Sequence, residues 1–327
     1  MGKILVTGAG GFIGGHLVRD LVNRGFEVRA VDVKNVGSWY QFNEESENIV
    51  ADLRSLEQCK TVSKNVDQVF NLAADMGGMG FIESNKAACM KSVLINTHLL
   101  EQAVENGVRR FFFSSSACVY AHDKQTDPRN LGLKESDAYP AMPEDGYGWE
   151  KLFSERMCRH FLEDFGLETR VARYHNVYGP HGTWDGGREK APAAICRKIA
   201  LAKITGNKNI EIWGDGEQSR SFTYIEDCIK GTIEIMSGNH AEPVNLGSSE
   251  MVTINELVGL VEEIAGIKVE RNYNKKAPQG VRGRNSDNSE FVSRYGWQPK
   301  ISLRQGLEKT YSWIYDEISR NSSAREK

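Results

Sequence analysis

Residues 3–14 read Lys-Ile-Leu-Val-Thr-Gly-Ala-Gly-Gly-Phe-Ile-Gly: a short apolar run, a glycine-rich turn, and then Ile13, Leu17 and Leu21 at helical spacing. That order of strand, turn and helix is what makes Gly8, Gly11 and Gly14 informative. A dinucleotide-binding turn needs one glycine for the tight bend, one so that the backbone can approach a pyrophosphate, and one for close helix–strand contact. The helix start then presents free N–H groups and the positive end of its dipole to the anion. The next strand-like stretch, 27–32, ends in Asp32, 18 residues beyond Gly14. An acid there accepts hydrogen bonds from ribose hydroxyls and repels a 2′-phosphate, so the two features together predict NAD over NADP, with Lys34 the neighbouring charge that opposes the choice.

Outward from this turn the alternation continues. Strand signals recur at 68–72, 110–114 and 168–172, with helix-length segments near 86–106 and 148–165 between them. Repeated β-α-β alternation predicts an α/β fold, a doubly wound parallel (Rossmann) sheet with helices on both faces. After Tyr178 the texture changes to an irregular loop, Gly182-Thr-Trp-Asp-Gly-Gly187. Helices follow near 191–203, 253–265 and 303–319, with a basic, glycine-bearing loop at 278–285 and a frayed tail expected from 321. The division expected is a nucleotide-binding domain of residues 1–177 plus 221–247, and a smaller C-terminal substrate domain of 178–220 plus 248–327.

Composition narrows the class of function. The 327 residues carry 41 Lys+Arg against 44 Asp+Glu, a net charge of −3. Bulk charge therefore gives no reason to expect a nucleic-acid or membrane partner, and no apolar run approaches the roughly 18 residues a span needs. The six cysteines, at 59, 89, 118, 158, 196 and 228, are too scattered for a metal knuckle, so no metal is expected. The same sparse usage, and a first strand that starts almost at Met1, predict a reduced, cytoplasmic protein without a secretory leader.

Tyr147-Gly-Trp-Glu-Lys151 puts a phenol and an ammonium four residues apart, on one face if the segment is helical. A free Tyr, with a pKa near 10, is a poor base at neutral pH. A nearby cation lowers that value and lets the phenol exchange a proton with a hydroxyl while hydride leaves the same carbon. Taken alone, the spacing is equally that of an exposed Tyr and Lys on an amphipathic helix. Upstream, Ser116 follows the strand-like run 110–114 and supplies a second hydroxyl.

The glycine turn, Ser116 and the Tyr147/Lys151 pair together resemble the extended short-chain dehydrogenase/reductase family of nucleotide-sugar enzymes. The resemblance covers nearly the whole chain, taking in Asp52-Leu53, Asn71-Leu-Ala-Ala74, Asn176-Val-Tyr-Gly-Pro180 and the stretch from Arg220 to Asp227. It implies NAD held by Gly8, Gly11, Phe12, Ile13, Gly14, Asp32, Asp52, Leu53, Tyr147 and Lys151. It also implies a homodimer formed through the helices near 86–106 and 148–165.

Three longer strings, 74–82, 182–194 and 280–288, resemble the branch of the family that inverts C3 and C5 of GDP-mannose. This second resemblance implies GDP-mannose as substrate and GDP-L-galactose, with GDP-L-gulose, as product. It makes Tyr147, Lys151 and Ser116 the hydride-transfer residues and Cys118 and Lys190 the epimerising acid/base pair. Substrate contacts are implied for Gly77, Ser116, Ala117, Cys118, Asn176, Lys190, Lys198, Gln218, Arg220 and Arg284. Arg197, Lys198, Arg220 and Arg284 are the cations available to a diphosphate, Arg forks suiting phosphate oxygens best.

The chemistry fits those residue types. A sugar C–H becomes acidic only once C4 is oxidised, and a thiol and an amine can then work on the two faces if neighbours bring their pKa values toward neutrality. On residue type alone, Cys118 is equally a small buried hydrophobe and Lys190 a solvated charge. Two other readings stay open at this stage. One is another NAD-dependent nucleotide-sugar epimerase or dehydratase; the other is a non-catalytic NAD-binding protein.

Overall fold

The computed structural model describes residues 2–129 and 131–325. The N-terminal part runs β1 (Lys3–Thr7), α1 (Phe12–Asn23), β2 (Val28–Asp32), β3 (Glu47–Val50), α2 (Leu56–Val62), β4 (Val66–Asn71), α3 (Met79–Ser84), α4 (Lys86–Met90), α5 (Ser92–Glu105), β5 (Arg110–Ser116), α6 (Asp145–Phe165) and β6 (Glu168–Tyr174). Then come β7 (Val177–Tyr178), α7 (Ala191–Thr205), β8 (Asn209–Trp213), β9 (Ser219–Ser221), β10 (Thr223–Tyr224), α8 (Ile225–Ser237) and β11 (Val244–Leu246). The chain closes with β12 (Met251–Thr253), α9 (Ile254–Ala265), β13 (Glu270–Asn274), β14 (Gly283–Arg284), α10 (Ser289–Tyr295) and α11 (Leu303–Arg325).

The central sheet has seven strands in the order β11-β6-β5-β4-β1-β2-β3, all parallel. Successive residues point to opposite faces, so each strand feeds two cores. Ile4, Val6, Phe70 and Phe112 pack with Leu17, Val18 and Leu21 of α1 on one side. Leu5, Val69, Phe111 and Phe113 pack with Leu99, Leu100 and Ala103 of α5 on the other. The strand order reverses between β1 and β4, and a crevice opens there beyond the carboxyl ends of the strands, where open α/β sheets take their ligands. Thr7 Oγ1 ties those two strand ends together by donating to Asn71 Oδ1 at 2.9 Å.

Beyond α2, α8, α10 and the short strands after β6, none of which the sequence reading expected, the structure differs from it in these elements. β3 and β11 are added to the sheet, and the single helix expected over 86–106 is broken into α4 and α5, with α3 preceding them. The tail expected to fray from 321 is helical as far as Arg325, and residues 326–327 lie outside the described region. The remaining strands form small sheets. The one ordered β12-β9-β14 makes Arg284 the register partner of Arg220. Below the site, Arg173 on β6 makes a two-pronged ion pair with Glu155 on α6 at 2.8 and 2.9 Å, and Ser115 on β5 donates to the same carboxylate. Both charged side chains are only 2% exposed. This fixes α6 against the sheet.

Two buried histidines make the fold sensitive to acid. Arg19 can only donate to His16 Nδ1 (2.9 Å), so His16 is neutral and gives its Nε2–H to the Pro180 carbonyl at 3.0 Å. Burial pushes His16 down to about 4 and His175, which faces Asn245 Oδ1, down to about 3. Below pH 6.5 the unfolded chain takes up protons that the native one refuses. Stability is therefore lost as pH falls from 6.5 toward 4, by about 1.4 kcal/mol per pH unit for each histidine. Thermal melts across that window should show the loss, and His16→Gln should flatten it by about one proton. An unchanged slope in that variant would refute the assignment.

Candidate active site

The crevice is a cavity of about 610 Å³, and its walls include Gly8, Gly11, Phe12, Ile13, Gly14, Asp32, Asp52 and Leu53. The glycines are required by distance. A Cβ on Gly14 would lie 2.1 Å from the Gly8 carbonyl oxygen, so the turn closes onto the start of α1 only with hydrogen there. Asp32 is buried and already accepts from the Gly10 and Lys34 backbone N–H groups, both at 3.0 Å, which aims its remaining lone pairs into the cavity. Lys34 also lines the cavity, its Nζ bonded to the Gly10 carbonyl at 3.2 Å and seated over the Tyr40 ring. The Asp32 carboxylate disfavours a 2′-phosphate there. The cradle, the carboxylate and the cavity fit NAD.

Asp32→Asn removes the charge from the acceptor. With a charged hydrogen bond worth about 1.5–3 kcal/mol, NAD affinity should fall by about one to two orders of magnitude. Calorimetry on the variant, with mass spectrometry of the cofactor extracted from the parent protein, checks this. Mainly NADP in the parent, or unchanged affinity in the variant, would overturn it.

A strap made by residues 179–190 crosses the cavity, with Gly179, Gly182, Thr183, Arg188 and Lys190 in its wall. It is fastened at both ends. Thr183 Oγ1 and the Tyr40 hydroxyl are 2.8 Å apart on the Asp32 side. On the other side Arg188 donates to Asp75 Oδ1 at 2.8 Å, lies 3.6 Å above the Phe81 ring, and receives the Gly78 N–H at its own carbonyl. Gly77, predicted to touch substrate, lies in the same seam, buried and in the cavity wall.

Ser116, Tyr147, Lys151 and Lys190 line the inner end of the cavity. Tyr147 and Lys151 do share a face of α6, with Nζ 5.6 Å from the phenol ring centroid and 4.7 Å from that of Phe113. Lys151 is 2% exposed and also faces Glu150 Oε2 at 3.6 Å. The sequence reading expected a lowered phenol. In the protein without ligand, burial raises Tyr147 well above its ordinary value, and the Cys118 and Glu150 charges add to the rise. Ser116 pulls the other way through its hydroxyl. A phenol so placed needs an added positive charge in the cavity before it can act as a base.

Cys118, buried in the short turn after β5, shares an apolar pocket with Tyr147, Ile82 and Cys89, while Ala117 is buried behind it among Val119 and Tyr120. Burial and Glu144 push its thiol up; Arg284 and Ser116 pull it down. Lys190 is half-buried where the strap enters α7, and desolvation lowers its ammonium while the Cys118 charge opposes that shift. The two groups therefore sit within electrostatic reach of each other; the ammonium moves toward neutrality as the sequence reading expected, whereas burial moves the thiol away from it.

The candidate cations divide. Arg197 is committed to the strap, bonded to the Trp184 carbonyl and Glu189, and so is not a free phosphate ligand. Lys198 is half-buried on the Glu211 carbonyl. Arg220 and Arg284 stand side by side, and their repulsion plus burial depresses Arg220. The Arg220 guanidinium donates to the Ser219, Gln279 and Val281 carbonyls. Arg284, however, is turned onto Cys118 and Glu144, an arrangement that the sequence did not disclose. Asn176 holds the Ser221 carbonyl, and Gln218 holds that of Trp213 with its own Oε1 buried and unpartnered.

The sequence pattern of the NAD dependent epimerase/dehydratase family matches residues 4–247. The chain belongs to this family. It is 47% identical over 322 residues to the GDP-mannose 3,5-epimerase of Arabidopsis thaliana, an alignment that covers 98% of this chain and 84% of the relative. Among solved structures it superposes on the UDP-glucose 4-epimerase of Thermotoga maritima in complex with UDP-glucose with a TM-score of 0.87, at 28% identity, covering 97% of this chain and 99% of the other. It also matches MoeE5 in complex with UDP-glucose and NAD, with a TM-score of 0.81 at 31% identity, over 97% and 100% of the two chains. In this epimerase/dehydratase, then, the glycine cradle and Asp32 line the same cavity as Ser116, Tyr147 and Lys151.

Proposed function

We propose that the protein inverts C3 and C5 of GDP-mannose through a transient 4-keto sugar, giving GDP-L-galactose, with GDP-L-gulose from inversion at C5 alone. One observation carries this reading: a thiol, Cys118, packs with the Tyr147 phenol and lies within electrostatic reach of an amine, Lys190, that lines the same cavity as the phenol, in addition to the groups that hydride transfer needs. Gly8, Gly11, Gly14 and Asp32 would hold NAD, which would supply a reversible hydride acceptor for C4 and the positive charge that the buried phenol lacks. Tyr147 holds the C4 hydroxyl proton during oxidation and gives it back, with Ser116 orienting the oxygen and Lys151 favouring the phenolate. Cys118 and Lys190 then exchange protons with C3 and C5 while the carbanion is delocalised into the ketone. Arg220, beside Arg284, supports a diphosphate subsite, and the unpartnered Gln218 Oε1 offers an acceptor close by.

The same reading assigns NAD binding to residues 1–177 plus 221–247 and sugar-nucleotide binding to the rest. Met90, Leu94, Trp149 and Phe153 are exposed on α4, α5 and α6, which supports a homodimer across those helices. All six cysteines are unpaired and buried, which supports a reducing, cytoplasmic setting. Incubation with GDP-mannose in D₂O tests the reaction. Label at C3 and C5 is expected; a 4-epimerase or a binding protein leaves both carbons unlabelled.

A further inference from the structure

Glu144 is a carboxylate, its side chain 12% exposed, that the mechanism above does not use. It immediately precedes α6, and its backbone N–H donates to the Cys118 carbonyl at 3.0 Å. One turn later Gly148 lies so close to that carbonyl that a Cβ would stand 2.4 Å from the oxygen. The start of α6 is thus built onto the Cys118 peptide, which carries the Glu144 carboxylate to the Cys118 side chain. Glu144 Oε2 accepts from Arg284 Nη2 at 2.8 Å, and the neighbouring Nη1 faces Cys118 Sγ at 3.5 Å. Arg284 Nε is held at 2.6 Å by Gln125 Oε1, and Gln125 is itself fixed by the carbonyls of Tyr120 and Ala121. The guanidinium has no freedom left.

The sulfur therefore lies between a carboxylate, which only accepts, and a guanidinium, which only donates. A thiol can donate to the first and a thiolate can accept from the second. We propose that Glu144 is a positioning residue which, seated on Arg284, holds Cys118 Sγ ready in both of its protonation states. The inference rests on the reading that Cys118 exchanges protons with the sugar. When the thiolate takes a proton from carbon, the C–H electron pair enters the enolate and the new S–H turns to Glu144. In the reverse step the thiol gives its proton to the enolate carbon, and sulfur keeps the bonding pair as a thiolate that Arg284 meets. No heavy atom has to move.

The groups facing the sulfur are Glu144 before α6, Tyr147 on α6, Cys89 on α4, Ser116 on β5, Arg284 on β14, Arg220 on β9 and Lys190 at the start of α7. Of these Glu144 is the carboxylate, so its removal has a definite sign. In Glu144→Gln holoprotein, alkylation of Cys118 by iodoacetamide, followed by mass spectrometry of its peptide across a pH series, should have a midpoint about one unit or more below the parent's. Deuterium exchange at C3 and C5 should shift its pH profile the same way. Glu144→Asp, one methylene short, should move the midpoint in the same direction by less, and decides the matter if the Gln variant does not fold. An unmoved midpoint in the folded variant overturns the proposal even if melting temperature or activity drops. Parent-like exchange in Cys118→Ala would instead overturn the acid/base reading and leave the alkylation result standing.

Discussion

Tyr147→Phe is expected to lose hydride transfer and epimerisation together, by about 10⁴-fold at the upper end of what a positioned acid or base supplies. The ring is 5% exposed and packs on Ile82, Cys89 and Cys118, and Phe keeps that packing, so the loss is chemical and not structural. Without the phenol oxygen nothing in the inner cavity takes the C4 proton. The ketone then never forms, and the hydrogens at C3 and C5 stay too weakly acidic for any side chain. The measurement is deuterium entry at C5 alongside absorbance of bound NADH at 340 nm. Exchange at a parent-like rate in Tyr147→Phe would mean that proton removal does not wait for oxidation.

Cys118→Ala and Lys190→Ala are expected to separate the two halves of the reaction. Each should cut exchange and inversion by about 10²–10⁴-fold while enzyme-bound NADH and 4-keto sugar still form from GDP-mannose. Lys190 gives no side-chain cap to α7, so its removal leaves the helix start intact. Lys190→Ala should also let exchange without inversion persist, because solvent can return a proton slowly. If Cys118 only fills space and Lys190 is only a surface charge, turnover stays near the parent's and only stability shifts. Folded variants with exchange within a few-fold of the parent would remove these two residues from the mechanism.

What could be read in advance was what the chain keeps local. The turn from Gly8 to Gly14, the acid at the end of β2 and the Tyr147/Lys151 spacing each lie within one or two elements, and the structure brings them to one cavity. β3 escaped notice because it is a four-residue edge strand with no buried position, and β11 because it has only three residues. The break between α4 and α5 at Lys91 leaves no glycine or proline as a marker. The grouping of Cys118, Glu144 and Arg284 was invisible for another reason. Its members come from a turn after β5, the start of α6 and a two-residue strand, and no periodicity relates positions 118, 144 and 284. Arg284 was noticed only as a cation for phosphate, since residue type alone does not tell which anion a guanidinium faces.

The strap over the cavity ends in Lys190, and this joins two events that could have been independent. The segment fastened to Asp75, Phe81 and Tyr40 is the one that delivers the amine. Covering the cavity and presenting the amine are thus tasks of one stretch of chain: loosening the Asp75, Phe81 or Tyr40 contacts would loosen the placement of Lys190 with them.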